Sequence, residues 1–210
     1  MDLATIADRA FGEAKQKAGT WIACRPGCDA CCRKPFAITE ADAVRLRQAL
    51  MLAPRDIAQD ISKRARDAWS IMRDDFPGDA TTGVLDASDE WREWFFRRHD
   101  GHACPVLDLA TGACRLYHAR PVCCRLYGPL ITIGAQTSDP CPLCFGGASA
   151  EQIEATRLVV ALPEREAPPV SETVIAFALR PSPESASPAP QVQRPATHAG
   201  PHRDERHRSG

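Results

Sequence analysis

The sequence of 210 residues lacks a long hydrophobic run and lacks an excess of either charge. It contains no stretch of 18 or more apolar residues, which excludes a transmembrane helix. Lysine and arginine number 26 against 27 aspartate and glutamate residues, so the formal net charge is −1. A nucleic-acid-binding domain or a polybasic membrane anchor carries a concentrated basic excess, which is missing here. We therefore expect neither a nucleic-acid partner nor a membrane partner.

The N-terminal segment also lacks the apolar stretch of a secretory signal peptide and contains acidic residues from Asp2 onward. We therefore expect a cytoplasmic protein. The abundant residue is cysteine, with ten in all: Cys24, Cys28, Cys31, Cys32, Cys104, Cys114, Cys123, Cys124, Cys141 and Cys144. A reducing cytosol disfavours a disulfide framework, and adjacent cysteines bridge to each other only with strain. Metal binding is the interpretation that fits such a compartment.

The composition divides the chain into a folded part and a tail. Residues 181–210 hold six of the 18 prolines, and Val192 is their only large aliphatic residue. Such a segment buries too little apolar surface to offset its ordering entropy, so we predict a disordered tail. Residues 1–180 are then one helical, cysteine-cluster metal-binding domain.

The hydrophobic periodicity and the capping residues predict a mainly helical fold. Asp2, Thr39, Pro54 and Ser88 mark the starts of the first four helices. The predicted elements are helices at 2–18, 38–51, 54–72, 89–99 and 150–162, a hairpin at 104–117, and a helical turn at 121–127. Residues 171–179 fit a helix or a strand, and the segments 24–36 and 138–144 are loops. The predicted fold class is mainly α with a small β-hairpin and an irregular, cysteine-rich metal-binding core.

The spacing of the cysteines favours metal ligation over simple burial. The C-x2-C steps at Cys28–Cys31 and Cys141–Cys144 let two thiolates reach one metal ion. Both zinc and iron–sulfur clusters take thiolate ligands, and the dense spacing in residues 24–31 slightly favours a cluster. The C-x3-C-x2-C spacing also matches radical S-adenosylmethionine enzymes. We discount them because Ala30 stands where an aromatic residue is usual and because a helix-rich chain supplies no βα barrel.

Four motifs follow one another: C-x3-C-x2-C-C, CPVLD, GACRLYHARPVCCRLYG and a late cysteine. This order resembles the CxxCxxCC family of YkgJ-type cysteine-cluster proteins, described as zinc- or iron-chelating, and the resemblance runs from about Cys24 to Cys144. It implies metal ligands at Cys24, Cys28, Cys31, Cys32, Cys104, Cys114 and Cys124, with Cys141 or Cys144 as the eighth. The resemblance requires no ligand at Cys123. Sulfurs from distant segments would then meet around inorganic ions.

Residues beside the cysteines carry further expectations. Gly112 is expected to adopt a positive φ in the hairpin turn. Arg120 and Arg125 either lower the pKa of nearby thiols or cover the surface. We expect Tyr117 and Tyr127 to pack against the site rather than to donate hydrogen bonds to sulfur. His99, His102 and His118 are alternative metal ligands. His198, His202 and His207 lie in the predicted tail, where we expect them to be solvated. The aromatic stripe Trp91, Trp94, Phe95 and Phe96 is expected to pack over the metal site.

Three functions stay open on the sequence, and no catalytic residue is assigned. The first is a metal-binding protein with an iron–sulfur cluster or zinc, in electron transfer or metal handling. The second is a metal-dependent enzyme, since the same domain occurs in the longer flagellin lysine N-methylases. The third is a structural zinc module that presents the helical face Trp91 to Arg98 to a protein partner.

Overall fold

A computed structural model describes residues 2–133, 136–138, 140–160 and 171–181. About 52% of these residues are helical, which confirms the mainly α fold class. The α-helices of the described residues are α1 (Leu3–Ala18), α2 (Glu40–Leu52), α3 (Arg55–Met72), α4 (Asp89–Arg98), α5 (Val122–Leu126), α6 (Ala150–Ala155) and α7 (Ile175–Leu179). The predicted tail 181–210 lies outside the described residues, apart from Pro181.

The strands are short and form three small sheets. They are β1 (Ala37–Thr39), β2 (Gly78–Asp79), β3 (Val84–Leu85), β4 (Ile131–Ile133), β5 (Gln136–Thr137), β6 (Leu158–Val160) and β7 (Glu172–Val174). β1 pairs with β7 and β2 with β3, both antiparallel. β4 lies between β5, which runs antiparallel to it, and β6, which runs parallel to it.

The main core lies where α7 packs against α2 and α3. Its fully buried side chains include Leu46 of α2, Ile61 of α3 and Leu179 of α7. Cys104, Cys114 and Cys123 pack against this cluster, so two cysteine-bearing segments, the 104–117 turn and α5, rest directly on the helical core.

The first helices form where the sequence predicts them. Asp2 caps α1 by accepting a hydrogen bond from Thr5 N at 2.8 Å, and Thr39 caps α2 by accepting from Asp42 N at 3.1 Å. The Asp42 carboxylate does not complete a capping box, because it accepts from the Thr39 hydroxyl and from Val122 N. Pro54 precedes α3 by one residue instead of opening it.

Three segments after residue 103 bear on the prediction: one helix is shorter, one ambiguous segment is resolved, and the hairpin is less extended. The predicted helix at 150–162 ends at Ala155, because Leu158–Val160 extends to pair with β4; residues 161 and 162 lie outside the described part. The ambiguous segment at 171–179 is both structures in turn, a strand followed by a helix. The predicted hairpin at 104–117 is a tight turn with one bridge, Leu107 to Cys114, and has no extended ladder.

None of the helices in the described part of the chain has the length and apolar character needed to cross a membrane.

Candidate metal centre

The cysteines nearest the N-terminus lie in a segment of tight turns. Cys28 N donates to Arg25 O at 3.0 Å and Cys32 N donates to Asp29 O at 2.8 Å. The segment is not wholly irregular, since Ala30–Arg33 forms a 3-10 turn that carries Cys31 and Cys32. These turns place four thiols within nine residues of backbone that doubles back on itself.

Cys104 and Cys114 lie on the two arms of the hairpin turn. Asp108 N donates to Ala113 O at 2.8 Å and closes the turn, in which Gly112 has a φ of +70° as predicted. A side chain at Gly112 would collide with the Gly27 carbonyl, so the tip of the turn packs on the 25–28 turn. Cys104 N donates to Cys32 O at 2.7 Å, which joins the hairpin to the 3-10 turn.

The other cysteines come from α5 and from a late loop. Cys123 and Cys124 lie on α5, and the Cys123 thiol donates to Ala37 O at 3.6 Å. Cys141 and Cys144 are both buried in a turn closed by Cys144 N donating to Cys141 O at 2.8 Å. The late turn is tied to the start of the cysteine-rich region, because Phe145 N donates to Trp21 O at 2.9 Å.

The structure gathers four of these residues into what we call the first thiol group: Cys24, Cys28, Cys141 and Cys144. Cys24, Cys141 and Cys144 share one apolar cluster with Ile22 and Phe145. Burial raises the pKa of Cys24 to about 12, with further contributions from Cys144, Cys28 and Cys141. Burial also raises the pKa of Cys141, and the thiols of Cys144 and Cys28 add to the effect. The four thiols are therefore electrostatic neighbours.

The other side of the region holds the second thiol group, defined as Cys31, Cys32, Cys104, Cys114 and Cys124. A hydrogen bond with Cys31 and burial raise the pKa of Cys32 well above its usual range, and the thiols of Cys104 and Cys114 contribute. A hydrogen bond with Cys123, followed by burial, raises the pKa of Cys124, and Cys104 and Cys32 add to it. Burial raises the pKa of Cys104 to about 12. These thiols face one another across three segments of the chain.

Cys31 differs from the other cysteines of the second thiol group because its pKa is lowered rather than raised. The hydrogen bond with Cys32 lowers the pKa of Cys31 to about 7 against the opposing effect of burial, and Arg120 and Lys34 lower it further. Arg120 also lowers the pKa of Cys114, although burial outweighs it and the net shift is upward. One of the two predicted arginines thus lies close enough to favour thiolate at two cysteines.

Arg125 has a different role from the one its position suggests. It is buried, and its guanidinium pairs with Asp8 of α1 and donates to Arg120 O at 3.0 Å and to His118 O at 2.6 Å. These bonds tie α5 to α1, so Arg125 supports the backbone beside the cysteines and its hydrogen bonds go to oxygen atoms.

A cavity of about 260 Å³ borders the second thiol group. Its lining is mostly apolar, and it consists of Cys31, Lys34, Pro35, Phe36, Phe96, Cys123, Cys124 and Tyr127. Lys34 Nζ donates to the Tyr127 hydroxyl at 3.2 Å, which supplies the polar edge. Tyr127 therefore has two roles. Its ring packs against the apolar cluster of the first thiol group, and its hydroxyl accepts a hydrogen bond from Lys34.

The predicted alternative ligands lie in three different settings. His99 is buried, and its Nε2 lies 2.9 Å from Asp75 Oδ1. His118 is exposed. His102 lines a small cavity of about 20 Å³ together with Cys104. His198, His202 and His207 lie outside the described residues.

The aromatic stripe on α4 divides between core and surface. Phe95 is fully buried and contacts Phe76 edge to face, and Phe96 reaches the cavity beside the second thiol group. Trp91 and Trp94 are 46% and 41% exposed, so the expectation that the whole stripe packs over the site is wrong for both tryptophans. The helical period does not explain the exposure of Trp91, because Trp91 lies one turn before Phe95 on the same side of α4.

All ten cysteines are free thiols. Over the described residues, no three His, Cys, Asp or Glu side chains are already arranged to hold a metal ion. The donor set nevertheless fits a thiophilic metal, because cysteine thiols become ligands of zinc and iron when they lose their protons. Such a set suits zinc and iron–sulfur clusters and is ill suited to hard cations, which prefer oxygen.

Several residues around the thiols escape prediction from the sequence. Gly128 has a φ of +135°, and a side chain there would lie 2.7 Å from Cys24 Sγ. Arg64 of α3 donates to the carbonyls of Cys104 and Leu107. Lys15 Nζ lies 3.5 Å from Cys24 O. Only Gly128 carries a local signal, a glycine next to a proline, since the other two contacts join distant segments.

Comparison with known proteins gives one match. Residues 23–144 match the CxxCxxCC family, described as a putative zinc- or iron-chelating domain, and this range holds all ten cysteines. No curated protein matches the chain, and no solved structure does. Since the match covers more than half of the sequence, the chain belongs to the CxxCxxCC family of zinc- or iron-chelating domains.

Proposed function

We propose that this protein binds zinc or an iron–sulfur cluster through cysteine thiolates and acts in electron transfer or metal handling in the cytoplasm. The proposed ligands are Cys24, Cys28, Cys31, Cys32, Cys104, Cys114, Cys124, Cys141 and Cys144. The observation that carries the proposal is the gathering of free thiols from four separate segments into two groups. Placing so many weakly polar, reactive groups together is difficult to explain by packing alone.

The surroundings of the thiols support ligation as thiolates. Bound thiolates carry negative charge, and positive side chains nearby offset it. Arg120 and Lys34 lie near Cys31, and Lys15 lies beside the backbone of Cys24. A bound metal would also add bonds between turns that a few backbone hydrogen bonds already connect, so its binding energy would contribute to folding.

The proposal is tested by anaerobic purification followed by metal analysis and visible absorption. A brown protein with iron and acid-labile sulfide supports a cluster. A colourless protein with stoichiometric zinc supports zinc and excludes a cluster. A chain that binds neither metal, with its cysteines reduced and its helices intact by circular dichroism, contradicts the proposal.

The cavity beside the second thiol group favours a second candidate function, that of a metal-dependent enzyme. Pockets for small molecules are concave and mostly apolar with a few polar groups, as this cavity is. A metal with an open coordination position there would reach a small substrate. Adding azide or imidazole to the iron-loaded or cobalt-substituted protein tests this: a shift of the visible metal spectrum supports an open position, and an unchanged spectrum favours a fully ligated metal.

A further inference from the structure

We propose that the cysteines form two separate metal centres, and that the first thiol group is a closed four-thiolate centre for one divalent ion. This inference rests on the proposed metal-binding function and adds how the ligands are divided. The two groups share the segment 24–32, but their other cysteines come from different segments, lie against different apolar clusters and differ in their access to a cavity.

The first thiol group has the donors of a tetrahedral site and the spacing that such a site uses. It combines C-x3-C, at Cys24 and Cys28, with C-x2-C, at Cys141 and Cys144. Each step is closed by a backbone turn, with Cys28 N donating to Arg25 O and Cys144 N to Cys141 O. Four thiolates in two short steps from opposite ends of a domain are typical of structural zinc sites.

The two halves of the first thiol group are held against each other by the backbone. Phe145 N donates to Trp21 O at 2.9 Å, and the rings of these residues lie 6.1 Å apart. Cys141 N donates to Gly128 O at 3.0 Å, and Gly128 lies directly against Cys24 Sγ. These backbone hydrogen bonds position the late loop on the Cys24 segment.

Apolar residues enclose one side of the first thiol group, because Cys141 and Cys144 are buried whereas Cys24 and Cys28 are half-buried. Ala18, Ile22 and Phe145 are buried with Cys141 and Cys144. A divalent ion with four thiolates keeps a net negative charge, and the positive side chain of Lys15 lies close enough to offset part of it. The group has the donors it needs, so no ligand from the second group is required.

Tyr127 lies between the two groups. Its side chain packs against the apolar cluster of the first thiol group and also lines the cavity beside Cys31 and Cys124. The same backbone turns from Cys124, in the second group, to Gly128, which touches Cys24 of the first. Tyr127 and the backbone up to Gly128 therefore contact both groups, as expected if each group is a centre of its own.

The second thiol group is organised separately. Cys104 N donates to Cys32 O at 2.7 Å, and Cys104 and Cys114 pack against the main helical core. Its five thiols exceed the four of one tetrahedral ion, and the cavity leaves one side open. The first group borders a different apolar cluster and has four thiols, so we expect the two centres to load and lose metal independently.

The experiment compares two double variants that each remove two thiols. Cys28→Ser with Cys144→Ser removes half of the first thiol group, and Cys32→Ser with Cys104→Ser removes part of the second. Metal per chain is measured by elemental analysis and by cadmium titration followed through thiolate absorption. We expect each double variant to lose the metal of one centre and to keep the metal of the other. The metal lost by the two variants should then add up to the metal content of the wild-type protein.

A single shared centre would give a different result, in which either double variant loses nearly all metal. If a variant fails to fold by circular dichroism, wild-type protein answers the same question through stepwise chelation with alkylation mapped by mass spectrometry. Two steps, with Cys24, Cys28, Cys141 and Cys144 becoming reactive together, support the division. One step that releases all the cysteines overturns it. A wild-type chain that binds no metal contradicts the proposed function itself.

Discussion

The two thiol groups are held in place by different means. The second rests on the helical core, where Cys104 and Cys114 pack against the cluster that contains Leu46 and Ile61. The first lies at a junction of loops, with a smaller apolar cluster around Ile22 and Phe145. The second group is therefore positioned mainly by apolar packing, and the first mainly by a few backbone hydrogen bonds.

This difference indicates where metal matters most for stability. Apolar burial contributes to the free energy of folding without any ligand, so a group built on a large core keeps its geometry when metal is absent. A junction with little buried area gains a larger share of its stability from a bound ion. Removing metal should loosen the loop junction before it affects α2, α3 and α7.

The largest expected effect is a loss of stability on mutating the helical core that supports the second thiol group. Leu46 is 1% exposed, and Leu46→Ala leaves a cavity that should cost about 2–5 kcal/mol in the free energy of unfolding. Urea denaturation of the metal-free protein measures it. Val44→Ala on the same helix is the matched control, since Val44 is 41% exposed and should change stability little. Equal effects of the two changes would contradict the placement of the core.

A smaller effect is expected from Gly128→Ala, which acts on the first thiol group. The residue has a φ of +135°, and the new Cβ would lie 2.7 Å from Cys24 Sγ. We expect a strain of about 1–3 kcal/mol, relieved by moving Cys24 away from Cys141. Cadmium titration should show weaker binding at one centre only. Gly146→Ala is the control, because a Cβ there meets no atom within 4 Å.

The N-terminal caps of α6, near the first thiol group, and of α2, in the core, compare the two regions through the same kind of hydrogen bond. Ser149 forms a capping box with Gln152 at the start of α6, just after the late loop, whereas Thr39 caps α2 in the core. Each change to alanine should cost about 1 kcal/mol. Ser149→Ala should speed proteolysis near the first thiol group in metal-free protein, and Thr39→Ala should not. Equal protease sensitivity in both variants would remove the distinction between the two regions.

The sequence predicts the local features of this fold and misses the long-range ones. The helices α1 to α3 carry their caps and their apolar periodicity within their own residues, so they could be predicted. The strand at 158–160 could not, because it forms by pairing with Ile131–Ile133, about 25 residues earlier. The tryptophans of α4 are predicted to pack with Phe95 and Phe96 but are exposed, since periodicity shows that an apolar face exists without showing how wide it is.

The candidate site follows the same rule. The donor atoms and the short C-x2-C steps are visible in the sequence, because they depend on residue type and on local turns. The division into two groups is not visible, since it requires Cys24 to meet Cys144 while Cys32 meets Cys104. Local spacing places Cys28 and Cys31 in one pair, whereas the structure puts them in different groups.

The smallest expected effect is at Cys123, which belongs to neither group although it adjoins Cys124. Its thiol donates to Ala37 O at 3.6 Å, so its hydrogen is already directed to a backbone oxygen. Serine keeps a donor at this position and nearly the same volume. We expect Cys123→Ser to retain the full metal content and to change the free energy of unfolding by less than about 1 kcal/mol. Cys124→Ser, one residue along α5, is the matched control and should lose metal from the second centre alone. If Cys123→Ser loses as much metal as Cys124→Ser, both cysteines of α5 are ligands of the second centre, which then includes a thiol that lines the cavity.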